Sequence, residues 1–211
     1  MKIFLISDTH MNHEKLLIPQ CDLLIHSGDF SRKGTFSEME IFLKWFSAQN
    51  SKHKILTAGN HDFFAERFPE KAKELAKSAG ISFLLEEELV IEGLRIWASP
   101  ISPMFRNMAF NRERGEKIKA HWDLIPEKLD ILITHSPPKG IGDKTILGFH
   151  VGCSDLLNRV KTVEPRLHVF GHIHEAYGEY SDQRFPKTKF FNSASKKFFG
   201  NRVNIPLETS L

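Results

Sequence analysis

The 211 residues, 41% of them hydrophobic and 26% charged, suffice for one ordinary domain that buries a two-layer core without disulfide staples. The formal net charge is +3, and Lys, Arg, Asp and Glu alternate without a block of like charge, so a polyanion-binding surface is not expected. Cys21 and Cys153 lack metal-ligand spacing, the run Lys2 to Ile6 is too short for a signal core, and no apolar stretch nears about eighteen residues, which suits a cytoplasmic setting and excludes a transmembrane helix.

Taken in order, the chain reads as one domain over residues 1–211. Ile3 to Ser7 is an apolar strand that ends in Asp8-Thr9-His10, and Leu23 to Ser27 is a second that ends in Gly28-Asp29. Ser37 with Glu40 reads as a capping box, opening a helix whose stripe of Ile41, Phe42, Trp45 and Phe46 covers the sheet. Ile55 to Ala58 is again β-prone, and Gly59 allows a sharp turn, so Asn60, His61 and Asp62 fall on a loop at a strand end. Such ends are where α/β proteins place their sites. A second helix starts at Pro69 and stops at Gly80.

The rhythm then changes from βαβα to short strands at Ser82 to Leu85, Leu89 to Ile91 and Leu94 to Ser99, with Glu92-Gly93 as a hairpin turn. A second, more antiparallel sheet is expected here. Pro100 to Arg114 is loop-like, and Glu116 to Trp122 is helical. Ile131 to Thr134 is a strand ending in His135, after which Ser136-Pro137-Pro138 forbids a helix and a Gly-rich loop runs to Gly152. A helix carrying Leu156, Leu157 and Val160 follows. Leu167 to Phe170 is a strand ending in Gly171-His172-Ile173-His174, and the tail holds strands at Phe190-Phe191 and near Val203.

The strand endings collect Asp8, His10, Asp29, Asn60, His135, His172 and His174, all oxygen or imidazole donors. That mixture suits borderline divalent ions such as Mn, Fe, Zn or Co, and the absence of thiolate argues against a structural zinc knot. Seven donors exceed one tetrahedral ion but serve two ions about 3.5 to 4 Å apart if one carboxylate bridges them, a clamp suited to a phosphoryl group. His13, His26, His53, His121 and His168 fit no motif and read as surface or core residues.

Asp8-Thr-His10, Gly28-Asp29, Gly59-Asn-His-Asp62, Thr134-His135 and Gly171-His-Ile-His174 resemble the five ordered motifs of the calcineurin-like metallophosphoesterases. The Thr134-His-Ser-Pro-Pro138 loop, Val151-Gly-Cys153, Asn192-Ser-Ala-Ser195 and Asn204-Ile-Pro206 also resemble a narrower group, the small brain-type metallophosphoesterase-domain proteins and their bacterial relatives. The resemblance implies a four-layer α/β/β/α sandwich with a dimetal site at the strand ends between two mixed sheets. It implies that one ion takes Asp8, His10, Asp29 and His174, and the other Asn60, His135, His172 and the bridging Asp29. It further implies that His61 faces the leaving group, oriented by Asp62.

The activity expected is hydrolysis of a phosphodiester by in-line attack of a metal-bridging hydroxide, with His61 protonating the leaving oxygen. The narrower group points to small diesters such as cyclic nucleotides as the partner, not to a nucleic-acid polymer or a membrane. A nuclease of the same superfamily is a competing enzyme reading, and a metal-binding scaffold without catalysis is a competing reading of another class. His150, Asn111 and Arg114, with Phe110 beside them, are candidate substrate contacts. Oligomeric state is left open.

Overall fold

The computed structural model describes residues 1–197, 200 and 202–211. The chain runs through β1 (Lys2–Ile6), β2 (Cys21–His26), α1 (Phe36–Ser47), β3 (Ser51–Leu56), α2 (Phe63–Arg67), α3 (Pro69–Ser78) and β4 (Ser82–Phe83). It continues through β5 (Glu87–Ile91), β6 (Leu94–Ser99), β7 (Ser102–Pro103), β8 (Asn111–Arg112), α4 (Glu116–Trp122) and β9 (Ile131–Thr134). Then come α5 (Ser154–Val163), β10 (Leu167–Phe170), β11 (Gly178–Tyr180), β12 (Lys189–Asn192) and β13 (Leu207–Ser210).

One sheet has the order β13-β1-β2-β3-β4, with β1 to β4 parallel and β13 antiparallel on β1. The other has the order β11-β12-β10-β9-β6-β5. The period-2 geometry of a strand divides each sheet's side chains between two layers. Ile3, Leu5, Leu23, Ile25 and Ile55 pack against Ile96, Ile131, Ile133, Leu167 and Val169 between the sheets. Their strand neighbours Phe4, Ile6, Leu24 and Leu56, and Leu132 and Phe170 of the second sheet, belong instead with helix residues such as Phe42, Phe46, Trp122, Leu156 and Val160. The result is α/β/β/α, and each fully buried large apolar side chain contributes roughly 1.5–3 kcal/mol.

Several local expectations shift. The capping box is Thr35 with Glu38, not Ser37 with Glu40: Thr35 has extended backbone (ψ 157°) and accepts from Glu38 N, whereas Ser37 already lies inside the first turn. The buried stripe of α1 is accordingly Met39, Phe42, Leu43 and Phe46, with Ile41 49% exposed and Trp45 only partly covered. Ser82-Phe83 completes the first sheet and does not open the second. The second sheet is parallel through its centre, β12-β10-β9-β6, and antiparallel only at its edges, because α4 and α5 lie in the connections between its inner strands. Near Val203 the described residues form only an isolated bridge to Lys196, and the last strand is Leu207–Ser210. Glu92 and Gly93, with φ of 50° and 83°, do form the tight turn of the β5–β6 hairpin. No helix among the described residues is long and apolar enough to cross a membrane.

Candidate metal centre

Main-chain bonds tie together the C-terminal ends of β1 and β2 in one sheet and of β9 and β10 in the other, and one of them, from Ser195 to Ser7, crosses between the sheets. Ser195 N donates to Ser7 O (2.7 Å), Gly171 N to His135 O (3.0 Å) and Asp8 N to Gly28 O (2.9 Å). Two of the glycines that precede ligands are needed for close approach: a Cβ on Gly171 would stand 2.0 Å from Asp8 Oδ2, and one on Gly59 2.3 Å from Asp29 Oδ1. Asp8, His10, Asp29 and His172 hold left-handed backbone, with φ of 50°, 41°, 58° and 69°. Such conformations cost a non-glycine residue roughly 1 kcal/mol or more and collect at functional sites.

These turns bring the side chains together in two groups that Asp29 and His10 link. Asp8, His10 and His174 form one, and Asp29, His135 and His172 the other, while His10, Asp29 and His61 link them. Asp8 Oδ1 is 3.3 Å from His174 Nε2, and His10 Nε2 is 3.2 Å from His174 Nε2. Asp29 Oδ2 lies 3.7 Å from His10 Nε2 on one side and 3.5 Å from His135 Nε2 on the other. Asn60 Oδ1 is 2.9 Å from His135 Nε2, and the His135 and His172 rings are 5.1 Å apart.

The hydrogen bookkeeping shows that these donors fit cations. His10 Nδ1 lies 3.1 Å from Ser31 O and His135 Nδ1 3.0 Å from Ser27 O, and a carbonyl only accepts, so both Nδ1 atoms carry hydrogen. In a neutral ring, Nε2 is then a lone pair. The lone pair of His10 points at another imidazole nitrogen, while His135 Nε2 faces an amide oxygen and a carboxylate, so that it needs a proton or a cation there. Asp8 Oδ1, buried, has no hydrogen-bond partner among the described residues. Acceptors converging on acceptors in a buried space are what metal ligands look like before the metal is drawn in.

The charges tell the same story. Burial raises the Asp8 and Asp29 carboxyls, but their imidazole neighbours, His174 for Asp8 and His135 for Asp29, outweigh it and hold both well below the usual carboxylate range. Burial pushes His10 and His172 down to about 4, keeping them neutral. His135 is pushed up to about 9 although burial opposes it, because Asp29 and Asp8 hold a proton on it. A divalent ion bound there takes that proton's electrostatic place.

His61 is half-buried and edge-on to the His10 ring, centroids 4.7 Å apart. Asp62 does not orient it. Asp62 Oδ2 accepts from Asp29 N (2.9 Å) and Gly59 N (2.7 Å), and Oδ1 from Ser31 N (3.0 Å) and Ser31 Oγ (2.5 Å). The ring of His61 rests on the Arg32 carbonyl instead, at 3.0 Å from Nδ1. A buried carboxylate takes the main-chain donors that ring it, and adjacent loop side chains point apart. Burial and the Asp29 charge push Asp62 up to about 7 against those hydrogen bonds.

The candidate substrate contacts separate. Asn111 Nδ2 donates to Phe105 O and Arg106 O, and Arg114 donates to Gly152 O and Val151 O, so both tie loops together. Phe110 is buried and its N–H donates to Glu66 Oε1. His150 is 47% exposed at its side chain, with Nδ1 2.6 Å from the buried Asp143. Ser31 and Arg32 carry no motif, and the one signal at Asp143 is the pair Gly140 and Gly142 that precedes it in a loop without periodicity. The remaining histidines behave as read: His26 and His168 are buried on Thr9 and Thr134, His13 packs on Phe42 and Trp45, and His53 and His121 sit beside Glu92 and Glu86.

Residues 1–176 match the family described as calcineurin-like phosphoesterase. Human metallophosphoesterase domain-containing protein 1 is 40% identical over 200 residues, covering 84% of this chain and 61% of the human protein, so the chain spans about three fifths of that relative's length. A UPF0046 protein of Caenorhabditis elegans is 37% identical over 211 residues, covering 90% of this chain and 73% of its own. Among solved structures, TT1561 of Thermus thermophilus superposes with a TM-score of 0.63 at 14% identity, covering 90% of this chain and 88% of that one, a likeness of fold.

Proposed function

The chain belongs to the calcineurin-like phosphoesterase family, and we propose that it is a dinuclear metal-dependent phosphodiesterase acting on small diesters, cyclic nucleotides among them. The observation that carries this reading is Asp29, whose Oδ2 stands within 3.7 Å of His10 Nε2 and 3.5 Å of His135 Nε2, between two donor groups. Asp8, His10, Asp29 and His174 would hold one ion, and Asn60, His135, His172 and Asp29 the other. Divalent ions bound there, manganese or otherwise Fe, Zn or Co, supply Lewis acidity that makes water nucleophilic at neutral pH and offsets charge on the phosphoryl oxygens.

The rest is done by the chain itself. Asp29 spends Oδ1 on the N–H of His61 (2.7 Å), leaving Oδ2 to face both donor groups. Asp62 gathers the β2, β3 and Ser31 main chain, so that Asp29 and Asn60 keep their separation. The Arg32 carbonyl fixes the tautomer of His61 with hydrogen on Nδ1, and a proton given to the leaving oxygen travels from Nε2. Both cysteines are buried and unpaired, in keeping with a cytoplasmic, reducing setting.

The test is metal content of the purified protein together with a rate screen over mono-, di- and cyclic phosphates at two salt concentrations. We expect two ions per chain and the highest kcat/KM on a small diester, with little salt dependence. One ion per chain with full activity would overturn the dinuclear reading, and activity confined to polynucleotides that collapses with salt would favour the nuclease.

A further inference from the structure

A cavity of about 480 Å³ lies between the loop 140–150 and the turn His174–Ala176. Its volume falls within the few hundred to about 1,000 Å³ typical of small-molecule sites. Glu175 and Ala176, which line the cavity, directly follow the candidate ligand His174 in the chain, and Ile146 N donates to Glu175 Oε1 at 2.8 Å. The same loop is held from beneath by Asn192, whose Nδ2 donates both to Gly142 O and to Ile173 O at 2.9 Å.

The wall contains an acid and imidazole pair that the metal centre does not use. Asp143 is fully buried, and its Oδ2 accepts from Gly140 N and Gly152 N, both at 2.9 Å. Its Oδ1 takes His150 Nδ1 at 2.6 Å, so Nδ1 carries hydrogen and Nε2 is the other face of the ring. His150 Nε2 makes no hydrogen bond among the described residues, and His150 lines the cavity. Lys144, paired with His150 in an isolated antiparallel bridge, lines it too, as do Tyr180 and Thr145. A buried carboxylate whose role is to hold one imidazole and two glycine N–H groups is a positioning device. It fixes the His150 ring, and Lys144 lines the same cavity.

We infer that this cavity receives the organic group of the phosphoester, and that His150, positioned by Asp143, together with Lys144 selects esters whose organic group carries hydrogen-bonding atoms, such as a nucleoside. This rests on the phosphoesterase reading above. The recognition chemistry is a donor on the ligand facing Nε2 and an acceptor facing the ammonium; a nitrophenyl group offers no donor and only weakly accepting nitro oxygens. His150 and Lys144 act as specificity-determining residues, and Asp143 as a positioning residue.

The experiment compares a 2′,3′-cyclic nucleotide with bis(4-nitrophenyl) phosphate for the wild-type protein and for His150→Ala, Lys144→Ala, His150→Gln and His150→Asn. The alanine variants should lose about tenfold in kcat/KM on the nucleotide, mostly through KM, and clearly less on the aryl diester. Gln places an amide near the position of Nε2, and Asn near that of Nδ1. His150→Gln should therefore recover much of the nucleotide KM, while His150→Asn recovers the melting temperature but not the KM. Equal losses on both esters, or recovery by Asn as complete as by Gln, would show that His150 only satisfies Asp143 and would overturn the inference. Calorimetric titration keeps the two readings apart. Even if the wild type hydrolysed neither ester, it should bind a nucleoside monophosphate more tightly than inorganic phosphate, and His150→Ala should erase the difference; no such difference in the wild type would sink the inference.

Discussion

His61 Nδ1 lies 3.0 Å from the carbonyl oxygen of Arg32, an atom that can only accept a hydrogen. The ring therefore delivers a proton only through Nε2, and delivery matters only when the departing oxygen is strongly basic. For His61→Ala we expect unchanged metal content, a loss of roughly 10²- to 10⁴-fold in kcat/KM on a cyclic nucleotide, and a clearly smaller loss on a nitrophenyl diester. Equal losses would mean that His61 positions the ester or stabilises its oxygens, and a lost ion would make it a ligand.

On the proposed two-ion reading, Asp29→Asn removes negative charge between two dications, since its Oδ2 lies 3.7 Å from His10 Nε2 and 3.5 Å from His135 Nε2. Metal analysis of the variant should show both positions depleted, with activity near background. Purification with two ions and near-native turnover would rule out the bridging assignment.

Asp62→Asn tests whether the carboxylate serves the scaffold. Its oxygens accept from three main-chain N–H groups and the Ser31 hydroxyl, so an amide NH₂ on either side faces donors. We expect a loss of about 2–4 kcal/mol and a melting temperature lower by roughly 5–15 °C, with weaker metal binding following. A variant of native stability and metal content that lost only turnover would restore a direct link between Asp62 and His61.

His168 sets an acid limb of stability away from the metal centre. Its ring is fully buried on Thr134 Oγ1, its Nδ1 is unpaired, and burial depresses it to about 3. The unfolded chain protonates this histidine near its ordinary 6.5 while the folded one stays neutral. The native state thus binds fewer protons, and stability falls as pH drops from 6.5 towards 3, by up to about 1.4 kcal/mol per pH unit. His168→Phe, set against Phe170 and Phe190, should lose less stability than the parent between pH 7 and pH 5, the gap reaching about 2 kcal/mol in urea titrations with chelator present. Parallel pH curves would exclude His168 as the cause.

What could be read from the sequence was whatever a short window encodes. A strand buried on both faces leaves an unbroken apolar run, as in Ile131 to Ile133, and a polar candidate ligand marks its end, preceded by glycine at Asp29, Asn60 and His172. Partners chosen across the fold left no such mark. The resemblance implied that Asp62 serves His61, yet besides Gly59 its donors are Asp29 and Ser31, more than thirty positions earlier. The parallel centre of the second sheet was likewise invisible, since pairing direction is set by the connections over α4 and α5 and not by the strands' own residues. The cap moved from Ser37 to Thr35 because two Ser/Thr-x-x-Glu frames overlap and only tertiary placement of α1 chooses between them.

The left-handed turn at His172 has an evolutionary and practical side. At φ 69° glycine is at ease where histidine is not, so a single His172→Gly change would delete a donor from one metal position and relax the backbone at the same time. As far as the backbone goes, selection for thermal tolerance would favour it. Hydrolysis and folding therefore pull in opposite directions at this residue, and a laboratory screen that scores only soluble yield is expected to drift towards chains that keep the fold and abandon the chemistry.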